Sequence, residues 1–399
     1  MFGLFGPPSK KKFASLLVQE IQARGGHSFS IDLEKFEIRS GSIRGFLGNV
    51  YVAYCQASRS QRRHILENFV GTMAAQGGTS DRTFDEVASD VAIVVRERAL
   101  FSFTSLLWDV DGVSSPPQPV NEPLTAWFAK SLVVDAPTHM SLVNQDEVER
   151  WGQTSDELFT LGLEKLTNAK PAHFACSDGV FRGLWNDDYD SSRILVKGIF
   201  DDLPINGDAV VCIPNRLTLL VADSADPAAV TRMIKQAEEI VRTIARPQNP
   251  APLLVQDGVV SDYTVPPSSP CYLAVERAKR VAAALYYSEQ KESLEKLYEK
   301  KGKDFFVATY GLSEFPDGTL RSSAVWTRDV PTLLPHTDEV VFVDSHAPKG
   351  QQVVARIPWD ALVAHFEDRL LDTKMFPRRF FVSRFPEVEQ IKALSSDHR

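Results

Sequence analysis

Apolar residues recur at helical spacing in the first segment of the chain. Phe13, Leu16, Leu17 and Ile21 fall on one face of residues 13–24, and Gly25-Gly26 stops the helix. Phe29 and Ile31, then Phe36 and Ile38, alternate with polar positions and predict two short strands. Residues 61–75 return to the helical period through Ile65, Leu66, Phe69 and Met73. An N-terminal α-β-β-α unit is therefore expected over 11–80, ended by Gly77-Gly78-Thr79-Ser80.

Further along, DVAIVVRER (90–98) predicts a strand, and ALFSFTSLLW (99–108) reads equally as strand or helix. Residues 111–123 hold four prolines and predict an exposed loop. Strands are expected at 127–134 and 139–143. A helix follows at 154–168, capped by Thr154 or Ser155, with Asp156 and Glu157 where carboxylates favour the helix dipole. Ser177-Asp178-Gly179 marks a hairpin within 172–184. A short helix is expected over 191–203. Strands at 208–213 and 217–222 flank Pro214-Asn215-Arg216. Asp226-Pro227 opens a helix to Ile244, with proline at its permitted first turn. LLVQDGVV predicts a hairpin turning at Asp257-Gly258.

Pro266-Pro267-Ser268-Ser269-Pro270 is the best linker, and a long helix at 271–300 follows it, its charged second half reading as a solvated face. Strands at about 304–311, 319–327, 339–344 and 352–357, a helix at 359–371 and a strand at 379–384 complete the chain. The expected organisation is a flexible tail at 1–10, the unit at 11–80, a central α+β domain at 81–265, a linker at 266–270 and a C-terminal α+β unit at 271–399. The fold class is α+β, with two or three mixed α/β units and mostly antiparallel sheets.

Composition narrows the class of protein. The 399 residues exceed one ordinary domain. With 43% hydrophobic and 24% charged residues, the chain is globular rather than disordered, collagen-like or coiled-coil. A formal net charge of −8 argues against general nucleic-acid binding, which needs a basic footprint. Cys55, Cys176, Cys212 and Cys271 are scattered without a CxxC pair. They form neither a disulfide framework nor a zinc site and read as buried thiols. No stretch approaches the ~20 apolar residues of a membrane span. In MFGLFGPPSKKK the apolar residues precede the lysines, the reverse of a secretory signal. A weak membrane tether through Phe2, Leu4, Phe5 and the lysines is the second reading of this segment, and an ordinary terminus is the first. A soluble cytoplasmic protein is expected.

The middle of the chain carries a likeness. LVVDAPTHMSLVNQDEVERWGQTSDELFTLGLEKL is followed by LWNDDYDSSRIL and then GDAVVCIPNRLTLLVADS. This order resembles the YtpQ-like family, in which a strand ending in Asp leads to a "-YD-S-IL" segment, a Gly-Asp-strand-Pro segment and a second strand ending in Asp. The matching positions are Asp135, Tyr189, Asp190, Ser192, Arg193, Gly207, Asp208, Pro214 and Asp223. FLGNVYVAYCQ, around Asn49 and Tyr51, is similar to the family's first unit. The likeness covers about 13–265 and leaves 270–399 unplaced. The family is one of unknown function, so the resemblance implies no activity.

The densest polar run is Asn186 to Arg193. As a calcium loop it fails, because the sixth position is Ser191 rather than Gly and the twelfth is Lys197 rather than Glu. The structural reading is a helix cap by Asp190 or Ser191. Arg216, after Asn215, could grip an anion or pair with Asp188 or Asp190. His336-x-Asp338 and Asp344-x-His346 flank one predicted strand, but two short pairs make a weak metal site and read first as surface residues. Nucleophile-elbow, phosphate-loop and dinucleotide motifs are absent from the sequence. Trp127, Phe128, Trp151 and Trp185 read as core.

The leading expectation is a non-catalytic binding or protein-interaction protein with a protein or small-molecule partner and no cofactor or metal. The alternative is a hydrolase-like enzyme using Asp188, Asp190, Ser192 and Arg216, and a third class is a regulatory or toxin-neutralising partner protein. The candidate ligand cluster is Asp188, Tyr189, Asp190, Ser192, Arg193, Asn215 and Arg216.

Overall fold

A computed structural model describes residues 8–24, 28–34, 36–40, 43–75, 82–112, 116–136, 139–169, 171, 173–244 and 247–396. The expected tail as far as residue 7, the stop at Gly25-Gly26 and the break at Gly77–Ser80 lie outside them.

The N-terminal unit contains α1 (Lys10–Ala23), β1 (Ser30–Asp32), β2 (Glu37–Ser40), β3 (Ile43–Phe46), α2 (Gly48–Gln56) and α3 (Arg59–Ala75). The three strands pair antiparallel in the order β1-β2-β3. Phe13, Leu17 and Ile21 of α1 bury against Ile38, Val70 and Met73. The α-β-β-α expectation thus lacked one strand and one helix. IRGF is too short to show a period. Gly45 is required there because a Cβ would lie 2.6 Å from Met73 Sδ.

The central region begins with α4 (Phe84–Val87), β4 (Val91–Glu97) and α5 (Arg98–Asp111). β5 (Asn121–Pro123), β6 (Phe128–Ala136) and β7 (His139–Leu142) follow, then α6 (Gln145–Arg150) and α7 (Ser155–Thr167). One sheet runs β4-β6-β5, with β7 also on β6. α7 starts at a capping box of Thr154 and Glu157. It approaches β4 closely enough that a Cβ on Gly162 would meet Ile93 N at 2.7 Å.

A second sheet is built from β8 (Phe174–Ser177), β9 (Val180–Gly183), β10 (Ala209–Asn215), β11 (Thr218–Asp223), β12 (Leu253–Gln256) and β13 (Val259–Asp262). Its order is β13-β12-β10-β11-β9-β8, antiparallel throughout. β10 and β11 are buried on both faces. Val210, Cys212, Leu220 and Ala222 pack on α8 (Pro227–Thr243), and Val211, Ile213, Leu219 and Val221 meet Val95 and Phe128 of the first sheet. That double burial explains their continuous apolar runs.

The long helix α9 (Tyr272–Lys300) packs on both neighbours. Val275 and Ala278 join the α8 core, while Tyr286, Leu294 and Leu297 pack with Phe103 and Leu106 of α5 and with Val307 and Leu333. Two small sheets follow. β14 (Phe306–Val307), β17 (Thr332–Pro335), β21 (Arg379–Val382) and β20 (Leu371–Asp372) form one in that order. β15 (Gly311–Glu314), β16 (Leu320–Thr327), β18 (Glu339–Val343) and β19 (Val353–Pro358) form the other. The β14/β17 and β16/β18 pairs are parallel and the rest antiparallel, and α10 (Trp359–Phe366) and α11 (Val388–Ser396) cover the core. Arg379 is buried completely and ties these pieces together. Its guanidinium donates to Gln290 Oε1 at 2.6 Å, Ala308 O at 2.8 Å and Leu333 O at 3.0 Å.

The fold is α+β. Several local expectations are corrected. ALFSFTSLLW belongs to a helix, whose apolar face α9 covers. The proline-rich loop ends in β5, because Val120 is buried and residues 121–123 pair with β6. The helix expected at 191–203 is a 3-10 turn over Asp190–Leu195. The helix expected to 371 ends at Phe366 and gives way to a 3-10 turn and β20. Cys212 and Cys271 are buried, but Cys176 is exposed on the edge strand β8 and Cys55 is half-buried. Among the described residues no helix is long and apolar enough to cross a membrane.

Candidate functional site

The sequence-predicted cluster converges around the 3-10 turn at Asp190–Leu195. Asp190 accepts the Asn186 and Asp187 N–H groups, both at 3.3 Å, and so closes the loop before the turn; the cap expected of Asp190 or Ser191 is not formed, because the N-cap position is Tyr189 and no side chain caps it. Arg193 is 1% exposed. Its guanidinium grips Asp187 through two 2.8 Å hydrogen bonds and stacks 4.5 Å from the Trp185 ring centre. Ser192 Oγ accepts the Val95 N–H at 3.0 Å, pinning the turn to the first sheet. Tyr189 donates to Asp135 Oδ2 at 2.7 Å. Burial and that carboxylate push the Tyr189 phenol pKa far up, so it stays protonated. Burial also raises the Asp190 pKa. Asn215 Oδ1 accepts the Leu217 N–H at 2.8 Å and shapes the β10–β11 turn. Arg216 is half-buried there, and its carbonyl accepts the Ser191 N–H at 3.2 Å. Asp188 is exposed at a backbone φ of +66°. The cluster is therefore gathered in space, with Ser192, Arg193 and Asp190 closed to solvent.

Next to it, Glu97 ends β4. Tyr286 of α9 donates to Glu97 Oε1 at 2.5 Å, and Asn249 donates to the same phenol at 2.9 Å. Burial pushes the Glu97 carboxyl up to about 7, and the neighbouring Arg96 is pushed down to about 9. Trp127 stacks on Tyr286 at 5.4 Å. Trp127 is half-buried, whereas Phe128, Trp151 and Trp185 lie in the core as expected. One edge of the indole is free to line a cleft.

That cleft, about 370 Å³, lies between the central sheets, α9 and the C-terminal sheets. Trp127 and Asp262 line one wall, and Glu276, Lys279 and Arg280 of α9 form the floor. Tyr287, Tyr310, His336 and Asp338 complete it. Arg280 grips Asp338 at 2.8 and 2.9 Å and also Glu276 at 2.9 Å. Asp338 further accepts the Ser322 N–H at 2.6 Å and hydroxyl at 2.8 Å. These donors hold the Asp338 carboxyl below its ordinary value despite its desolvation. Tyr287 and Tyr310 stack at 4.9 Å and 13°, and burial pushes both phenols up to about 12. His336 meets the edge of Trp359 at 4.6 Å while remaining solvent-accessible. Partial burial of the ring and then the nearby Arg378 lower its pKa, which favours the neutral form.

From sequence, His336 and Asp338 read first as surface residues and second as part of a weak metal site. In the fold, Asp338 is held by Arg280, Asp344 by Arg328 at 3.0 Å, and His346 reaches Asp329 at 2.9 Å. Among the described residues no group of three His, Cys, Asp or Glu is placed to hold a metal. The i, i+3, i+4 spacing of Glu276, Lys279 and Arg280 was the available signal for a polar helix face, but nothing local shows what stands opposite.

No protein family, curated protein or solved structure matches this chain.

Proposed function

We propose that the protein is a non-catalytic binding protein, and that its ligand is a small, neutral, ring-bearing polar molecule of sugar or nucleoside size held in the cleft on α9. The observation that carries this reading is the convergence of Trp127, Tyr287, Tyr310 and His336 around charges that are already paired. Rings offer flat apolar contact, and the paired Arg280, Lys279, Glu276 and Asp338 offer donors and acceptors. A volume near 370 Å³ is at the small end of ligand sites, which run from about 300 Å³. The four cysteines outside disulfides suit a reducing compartment, and we take the cytoplasm as the location. The central region is read as YtpQ-like on its motif order. In support, Tyr189 bonds Asp135 and Asp223 accepts the Gly207 N–H at 2.9 Å, so matching positions hold one another.

The test is a thermal-shift panel of monosaccharides, nucleosides and aromatic amino acids, repeated on Tyr310→Ala. Saturation at ~100 times the dissociation constant adds about 2.7 kcal/mol, a shift of several degrees. The expected result is a stabilising ligand whose effect disappears in the variant. A flat panel, or a shift that survives in Tyr310→Ala, overturns the reading.

A further inference from the structure

The Arg280–Asp338 pair keeps one donor and one acceptor unused at the cleft. A guanidinium carries five N–H groups, and a carboxylate has room for about four donors. Arg280 Nε donates to Asp338 Oδ2 at 2.8 Å, and Nη2 donates to Asp338 Oδ1 at 2.9 Å. Nη1 uses both of its N–H groups on Glu276, at 3.0 Å to the carbonyl and 2.9 Å to Oε2. One Nη2 N–H is left. Asp338 Oδ2 is full, because it also accepts the Ser322 N–H at 2.6 Å and the Ser322 hydroxyl at 2.8 Å. Oδ1 accepts Nη2 alone and keeps a lone pair. Among the described residues nothing else takes either group. Both side chains reach solvent and both line the cleft.

The unused N–H and the unused lone pair stand on atoms 2.9 Å apart. The planar geometry of both groups turns them away from the bond they share, so they diverge. One ligand hydroxyl cannot align with both, and two ligand atoms are called for. Hydroxyls on adjacent carbons of a ring meet that call: one accepts from Nη2 while its neighbour donates to Oδ1. A lactam or carboxamide edge also offers a donor beside an acceptor, but its N and O share one carbon and stand closer together, against the divergence. Trp127 and Tyr310 are half-buried at the same cleft and give the C–H face of a sugar ring aromatic surface to pack on. Charge selects against a phosphorylated form. The lining carboxylates Asp262, Glu276 and Asp338 outnumber Lys279 and Arg280, so an added anion is repelled.

We infer that the ligand presents two vicinal hydroxyls of an unphosphorylated sugar ring to Arg280 Nη2 and Asp338 Oδ1. The ring is that of a free monosaccharide or the ribose of a nucleoside, which share this chemistry. The inference rests on the proposed reading of the cleft as a ligand site and names the contact that selects the ligand. A site that hydrogen-bonds a ligand hydroxyl discriminates against the analogue that lacks it, because its own polar atoms are then left without a partner.

Titration calorimetry on the full chain tests this with matched pairs of probes. Ribonucleosides are compared with 2′-deoxyribonucleosides, and methyl hexopyranosides with their 3-deoxy forms. Neither deoxy form keeps two hydroxyls on adjacent carbons. Free nucleobases supply the lactam edge without a sugar. At least one diol-bearing probe is expected to bind, and its deoxy form to bind about tenfold to a hundredfold more weakly, the usual loss for a hydrogen bond to a charged group. Which of the two pairs responds identifies the source of the diol. Asp338→Asn is expected to weaken the diol probe about tenfold or more while its ligand-free melting curve remains cooperative. A deoxy form or nucleobase that binds as tightly as the diol probe, with that binding lost in Tyr310→Ala, overturns the diol contact and leaves the cleft reading standing. Undiminished binding of the diol probe to Asp338→Asn, or tighter binding of its phosphate ester, also overturns the contact. A series in which no probe binds overturns the contact and the cleft reading together.

Discussion

The 3-10 turn at Asp190–Leu195 and the cleft on α9 use the same side-chain chemistry to different ends. Both contain an Arg–Asp pair with two hydrogen bonds, a nearby aromatic ring and a serine tied to the pair or its turn. At the turn, Arg193 is 1% exposed and the side chains of Asp187, Asp190 and Ser192 are spent on neighbouring N–H groups or on the guanidinium. In the cleft, Arg280 and Asp338 are only partly covered, and an open volume separates them from Trp127 and Asp262. A closed pair specifies the fold. A half-open pair beside rings leaves polar atoms that a ligand can reach. Burial, not residue type, separates the two.

The largest expected effect comes from breaking the closed pair. Arg193→Ala removes a fully buried side chain with its two bonds to Asp187 and its stack on Trp185, and should cost about 3 kcal/mol, read as a shifted urea midpoint. A loss below about 1 kcal/mol would erase the distinction between the regions. Next is Glu97, which links the two. Its folded-state pKa of about 7 exceeds the ordinary 4.5, so the folded protein holds the extra proton in between. Its stabilising contribution is present below about 4.5 and is lost as pH rises through about 7. Glu97→Gln keeps an acceptor for Tyr286 and removes the titration. At about pH 8 the variant should exceed the parent by about 1–3 kcal/mol, and the two should converge in acid. Parallel stability curves across that range would show that Glu97 does not titrate there.

Smaller effects belong to the cleft. Asp338→Asn should cost about 1 kcal/mol, because solvent screens a half-exposed pair. His336→Ala should change stability by no more than about 0.5 kcal/mol while abolishing the ligand-induced thermal shift. A large loss of stability in either would place the cleft with the closed cluster as a structural feature.

Much of the fold was legible because it depends on local rules. The Asp226-Pro227 start of α8, the Thr154–Glu157 capping box and the turns at Asp178-Gly179 and Asp257-Gly258 each need only a few adjacent residues. The polar run at 186–193 was also visible, but the cap expected of Asp190 or Ser191 was not, since Asp190 turns back onto the N–H groups of residues 186 and 187. The elements that escaped are short or are decided by distant partners. β17 is four residues inserted between β14 and β21, and ALFSFTSLLW becomes helical where α9 covers one of its faces. His336 and Asp338 were singled out without the Arg280 and Tyr287 contacts that give them their surroundings.

By itself the sequence determined the α+β class, the turns and the caps at Thr154 and Asp226, since periodicity and capping chemistry are local. Tertiary structure alone decided which Arg–Asp pair is closed and which is open. The distance from Arg280 to Asp338 spans 58 residues of chain, and that from Tyr286 to Glu97 spans 189. Burial, desolvation and the pKa shifts they cause depend on what packs from the far side, which is α9 at the cleft and β4 with the Trp185 ring at the turn.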